Sequence, residues 1–157
     1  MTSINISKAS FEDIKTILLL QRQAFRSEAD IYNDFETPTP LLQTLEEITK
    51  EFSESIFLKA LLEDEIVGSV RGLEIDKTVY IKRLVVNPQY QNQGIGTKLM
   101  KSIEDSFKDN EKFELFTGHK SIRNLHLYHN LGYKEFKRIS IHDNLTMIYL
   151  EKYVFDR

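Results

Sequence analysis

Two glycines one residue apart, Gly94 and Gly96, stand in the stretch NPQYQNQGIGTKLM. An apolar run, Tyr80 to Val86, precedes them, and a segment with helical periodicity follows. The chain has only 6 glycines, so this pairing needs a reason. A strand that enters a glycine-containing loop and then a helix exposes backbone N–H groups at the helix start. The helix dipole adds partial positive charge there, and phosphate binds well at such a place. Glycine lets the main chain approach a ligand and adopt positive φ. The stretch therefore reads as a phosphate or pyrophosphate site made of backbone amides. The plainer alternative is a tight turn in which glycine serves packing alone.

Two nucleotide patterns fail on their residues. A P-loop ends Gly-Lys-[Ser/Thr], whereas Gly96 is followed by Thr97 and then Lys98. The dinucleotide fingerprint needs a third glycine where Leu99 stands. Gln91, Gly94 and Gly96 instead fit Q-x-x-G-x-[G/A]. A second block, NLHLYHNLGYKEF from Asn124 to Phe136, fits N-x-x-x-Tyr followed by Gly-[Phe/Tyr]. Together the two blocks resemble the GNAT superfamily of acetyl-CoA-dependent N-acetyltransferases, and the order of elements agrees along nearly the whole chain. One departure stands out. Many members carry Arg or Lys just before the first glycine, where this chain has Gln93. Backbone amides, with Lys98 nearby, must then hold the phosphates.

The resemblance implies a function and a set of residues. Acetyl-CoA would be the co-substrate, with no metal, and a primary amine of a small molecule or peptide the acceptor. Gln91, Asn92, Gln93, Gly94, Ile95, Gly96 and Thr97 would grip the diphosphate. Asn124 would contact the pantetheine arm, and the main chain of Leu84, Val85 and Val86 would hold the acetyl group. In this family that strand carries a bulge and splays from its neighbour. Tyr128 would be the general acid: its phenol is protonated at neutral pH and can donate to a departing thiolate. Asn124 lies four residues earlier, on the same helical face. For the general base the sequence offers Glu74, Asp76 and Tyr80 on the central strands, of which Glu74 is the first choice. Arg71, Lys82 and Arg83 bring basic side chains to the strands beside the expected cleft, and Tyr80, Arg71 and Lys82 are candidate acceptor contacts. Tyr32 and Phe35, in IYNDFETPTP, are placed to line the same pocket. Direct attack in a ternary complex fits a chain with no cysteine nucleophile. A non-catalytic CoA-binding regulatory module is the alternative.

The elements that must position these groups are legible in outline. Apolar spacing predicts a helix from about Ser10 to Ser27, with Ser10 and Asp13 as an imperfect capping box. ETPTP interrupts, and a second helix is expected from about Leu41 to Phe52. Strands are expected at Ile4 to Ile6, Ile56 to Leu62, Ile66 to Ile75 and Val79 to Val86. Ile95, Leu99, Met100, Ile103 and Phe107 mark one helical face. Then come a strand from Phe113 to Thr117, a helix from Ser121 to Leu131 capped by Ser121 and ended by Gly132, and strands at Tyr133 to Ile141 and Leu145 to Tyr153. The expectation is an α/β fold with a mixed, mostly antiparallel sheet of about seven strands flanked by about four helices.

Composition agrees with one globular domain over residues 1–157, 41% hydrophobic and 29% charged. A net charge of -3 argues against broad nucleic-acid binding. With no cysteine there is neither disulfide nor thiolate metal site. His119, His126, His129 and His142 lack metal-ligand spacing, and no carboxylate cluster accompanies them. No apolar run approaches the roughly 20 residues that span a bilayer, and MTSINISKAS has no basic head or apolar core for a signal peptide. A cytoplasmic setting is expected. The closing strand, Leu145 to Tyr153, read as an edge, offers a surface for a homodimer.

Overall fold

The structure, a computed structural model, describes residues 3–34 and 39–154. Phe35, an expected acceptor contact, lies outside the described residues. Seven strands form one sheet: β1 (Ile4–Lys8), β2 (Ile56–Leu62), β3 (Glu65–Ile75), β4 (Thr78–Val86), β5 (Lys112–Gly118), β6 (Lys134–His142) and β7 (Leu145–Tyr153). Their spatial order is β1-β2-β3-β4-β5-β7-β6. Every pairing is antiparallel except β4 with β5. Five helices accompany it among the described residues, one more than expected: α1 (Ile14–Tyr32), α2 (Thr39–Leu42), α3 (Leu45–Glu54), α4 (Ile95–Asp105) and α5 (Ile122–Asn130). Among the described residues no helix is long and apolar enough to cross a membrane.

The extra helix comes from a break in the segment expected as one helix from Leu41. Thr44 accepts from the Glu47 amide at 3.1 Å, and Glu47 accepts from the Thr44 amide at 2.9 Å. This reciprocal box restarts the chain as α3. At the front of α1, Ser10 donates its amide to Asp13 at 2.8 Å, as its residues suggested. A short 3-10 turn, Phe11–Asp13, intervenes, which leaves Phe11 exposed rather than on the buried face. α1 also runs five residues beyond Ser27, which matters for the site below.

Alternation along β2 separates two layers. Phe57 packs with Ile14, Ile17, Leu18 and Ile48 beneath α1 and α3. Leu58 and Ala60 pack on the opposite face with the α4 stripe Ile95, Leu99, Met100 and Ile103. The strand Leu145 to Tyr153, expected at an edge, is instead interior, between β5 and β6. β6 is the edge, with all but its last residue exposed.

Arg71 also departs from expectation. Its guanidinium lies under α1, only 2% exposed as a residue. It donates to the side-chain amide oxygen of Gln21 and to Glu51 at 3.1 Å, and sits 4.5 Å over the Phe57 ring. Burial lowers its pKa to about 10, with Glu51 opposing that shift and Arg83 adding to it. The fully buried Gln21 in turn donates to the Pro40 carbonyl at 2.7 Å and to Gln43 at 3.0 Å. Arg71 thus ties β3 to α1 and α3, and lines neither cavity described below. Arg71→Ala leaves a buried amide and a carboxylate without their donor. It is expected to lower unfolding free energy by about 2–3 kcal/mol, measured by urea denaturation; a variant as stable as the parent contradicts this assignment.

Candidate functional site

The site begins where β4 leaves β5. Parallel pairing covers only Thr78 to Tyr80 against Lys112 to Glu114. Further along, Ser69 faces Val85 and Arg71 faces Lys82, so Arg83 and Leu84 together oppose Val70. This is a β-bulge, and Arg83 takes a left-handed φ of 56° to make it. The bulge turns the end of β4 away, and a gap opens between β4 and β5. Two cavities of about 320 Å³ each lie along this end of β4, and β5 lines the second. Phe25, Glu28, Leu84 and Asn124 line both, so these residues mark where the cavities meet.

The first cavity lies along the glycine loop. Asn87 accepts from the Gln89 amide at 3.0 Å and fixes a turn at Pro88–Tyr90. Asn92 and Gly94 take φ of 65° and 78°, which swing the chain into α4. A Cβ on Gly94 would meet nothing within 4 Å, so the constraint there is conformational and the space above it is open. The first intrahelical bond of α4 runs from the Lys98 amide to the Gly94 carbonyl at 3.1 Å. The amides of Ile95, Gly96 and Thr97 therefore have no partner within the helix, and their residues line the cavity. Val85, Val86, Gln91, Asn92 and Gly94 line it as well, and Gln93 does not.

The cavity has a cation that the sequence did not reveal. Arg123, on the first turn of α5, donates to the Gln91 side-chain oxygen and lines the same cavity. Lys98 does not line it. Only the tertiary approach of α5 to the loop could have identified Arg123.

The second cavity lies on the far side of Leu84. Tyr128 lines it and is 5% exposed. Burial first, and then the nearby Glu28 carboxylate, raise the Tyr128 pKa above the ordinary phenol range. Tyr32 and Lys82 also line this cavity, as the sequence suggested. Asn124 and Tyr128 are brought together here from one face of α5.

Glu28, on α1, lines both cavities and was not singled out in the sequence. It accepts from Ser121 Oγ at 2.6 Å. Ser121 Oγ also meets the Tyr32 hydroxyl at 2.9 Å, and that hydroxyl accepts from the Lys120 amide at 2.8 Å. Ser121 stands at the N-cap of α5 but makes no side-chain cap bond; its hydroxyl serves this network instead. Gly118 permits the arrangement, because a Cβ there would fall 2.2 Å from the Tyr32 hydroxyl.

The other expected groups lie elsewhere. Glu74 is exposed near the end of the β3–β4 hairpin, opposite Val79. Leu84 is five residues further along β4, roughly 16 Å at strand rise. Asp76 sits in the hairpin turn itself with φ of 50°. Tyr80 faces Glu114 at the closed end of the gap and lines neither cavity. His119 accepts from the Thr146 amide at 2.9 Å, and His142 pairs with Asp34 at 2.7 Å.

A bulged strand, a phosphate-type loop and a gap on one sheet can now be set beside known proteins. The model of the acetyltransferase (GNAT) family matches residues 17–133. This chain belongs to that family. The protein is an acyl-CoA-dependent acetyltransferase. Its fold recurs in solved members. The PaiA N-acetyltransferase of Thermoplasma acidophilum in complex with coenzyme A is 19% identical with TM-score 0.78, covering 97% of this chain and 99% of that one. YncA of Salmonella typhimurium, with its cofactor acetyl-CoA, is 17% identical with TM-score 0.76, covering 99% and 96%. The ribosomal-protein-S18-alanine N-acetyltransferase of Escherichia coli is 14% identical with TM-score 0.75, covering 97% and 94%. A search of curated protein sequences finds no match.

The Gly118 contact gives a direct check on the Glu28–Ser121–Tyr32 network. Gly118→Ala forces the Tyr32 ring aside and is expected to cost about 1–3 kcal/mol of stability. In a Tyr32→Ala background most of that cost should vanish, as a double-mutant cycle by denaturation will show. Additive costs would mean that the two residues do not meet.

Proposed function

We propose that the protein transfers an acetyl group from acetyl-CoA to a primary amine by direct attack in a ternary complex, within one domain spanning residues 1–157. The observation that carries this reading is the meeting of two unlike cavities at Leu84 and Asn124. One is walled by helix-start amides, and the other holds a buried phenol and a carboxylate. The donor supplies a thioester, whose carbonyl is the electrophile.

Each part of the chain then has a chemical task. The amides of residues 94–97, with Arg123, hold the diphosphate on the first side. Asn124 directs the pantetheine arm into the gap. A main-chain N–H of the bulged segment, at Leu84 or Val85, faces the negative charge that develops on the acyl oxygen. Glu28 takes the proton that the ammonium must lose before its lone pair can attack. Glu28 suits this task because, among the described residues, it is the only carboxylate lining either cavity. Tyr128 gives its proton to the departing sulfur and is held protonated by burial. Protons balance: the ammonium gives up two on becoming an amide, the thiolate takes one from Tyr128, and one is released.

Two measurements test these roles. Tyr128→Phe should lower kcat by about 100-fold and leave CoA affinity nearly unchanged. Because the Tyr128 pKa is raised, its acid form persists to higher pH than a free phenol. The parent kcat should therefore show no alkaline fall from this group below about pH 10; a fall there that Tyr128→Phe abolishes contradicts the assignment. Arg123→Ala should weaken CoA binding about tenfold, read by calorimetry, since a charged hydrogen bond is worth roughly 1.5–3 kcal/mol. Unaltered affinity would remove Arg123 from the phosphate site.

A further inference from the structure

The second cavity restricts which amine can enter, an inference that rests on the acetyl-transfer reading above. Its outer wall is apolar and aromatic. Phe116 of β5 and Tyr149 of β7 stand with ring centroids 5.4 Å apart, and Ile141 and Met147 lie beside them. Charge is sparse and arranged with polarity. Glu28 is the only carboxylate among the described lining residues, and its place in both cavities puts it at the inner end, beside the thioester position. Lys82 and Arg83, on β4, are the two cations of the second cavity and do not line the first. Lys82 is two residues before Leu84, so roughly 6–7 Å along the strand from the junction. It is exposed, on a four-carbon stem that can turn its ammonium toward a ligand.

We infer that the acceptor is a hydrophobic α-amino acid bound as a zwitterion. Its ammonium meets Glu28, its carboxylate meets Lys82 in the field of Arg83, and its side chain lies against Phe116, Met147 and Tyr149. The lining charges favour this class over the other amines. Polyamines and aminoglycosides carry several ammonium groups and need several carboxylates. Among the described residues the lining offers one carboxylate, Glu28, and one exposed ammonium, Lys82. An arylalkylamine fills the apolar wall but brings nothing to meet Lys82. A peptide N-terminus presents an amide where the carboxylate is called for, and its second residue must fit a cavity of about 320 Å³, near the small end for ligand sites.

The test is release of free thiol from acetyl-CoA by the full chain, with L-phenylalanine, L-leucine, L-phenylalanine amide, phenethylamine, spermidine and an alanyl peptide as acceptors. L-phenylalanine or L-leucine should give the highest kcat/KM, with the acid favoured over its amide by about tenfold or more. Lys82→Gln should bring the ratio between L-phenylalanine and its amide close to one. That ratio compares two acceptors on the same variant, so it is insensitive to any loss of folded protein. Preference for spermidine, phenethylamine or the peptide, or equal use of acid and amide, overturns the inference and leaves acetyl transfer standing. Tight acetyl-CoA binding with no turnover of either amino acid also overturns it. Failure to bind acetyl-CoA at all would overturn the transferase reading itself.

Discussion

The separation of β4 from β5 is the constraint on which everything else depends. The two strands run parallel and pair for three residues, and then the bulge at Arg83 and Leu84 ends the pairing. A left-handed φ at a non-glycine residue is strained, and it persists because the flanking residues of β3 hold the register on both sides. The gap puts unpaired backbone at the centre of the sheet. There it can serve a ligand as readily as it would have served a neighbouring strand.

The two sides of the gap differ because different elements wall them. On one side β4 turns directly into α4, so the helix start and its amides face the opening. On the other side lie β5 and β7, whose side chains give an apolar wall. Two helices bridge the sides. α1 passes across and contributes Phe25 and Glu28 to both cavities, and α5 contributes Asn124 to both. The hydrogen bonds that Ser121 donates to Glu28 and accepts from the Tyr32 hydroxyl fasten these helices to each other over the gap. The Glu28 carboxylate on α1 is thereby held where the two cavities meet.

Much of this was legible in the residues, and the rest was not for identifiable reasons. Alternation and helical spacing place every strand to within about three residues at each end. The glycine pair and the Asn124–Tyr128 spacing point to segments that line the two cavities because they are local patterns. Glu28 was invisible, since on a helix surface it reads as one solvated carboxylate among several. Its meaning depends on α1 extending past Ser27 and crossing a gap formed by distant strands. Arg123 escaped for the same reason. Glu74 and Tyr80 attracted attention because they lie on the correct strands, but distance along a strand decides function, and they sit toward its other end. Arg71 reads as a cleft charge until its neighbours Gln21 and Glu51 are seen. The break before α3, by contrast, has a local signal in the residues: Thr44 and Glu47 have capping-box spacing.

The most direct test of the central claim is the backbone amide spectrum of the protein as coenzyme A is added. If main-chain groups grip the diphosphate and the opened strand holds the acyl arm, the amides of residues 94–97 and 84–86 must shift together and saturate at one stoichiometry. Shifts confined to side chains or to other segments, with those amides unmoved at saturation, would contradict it.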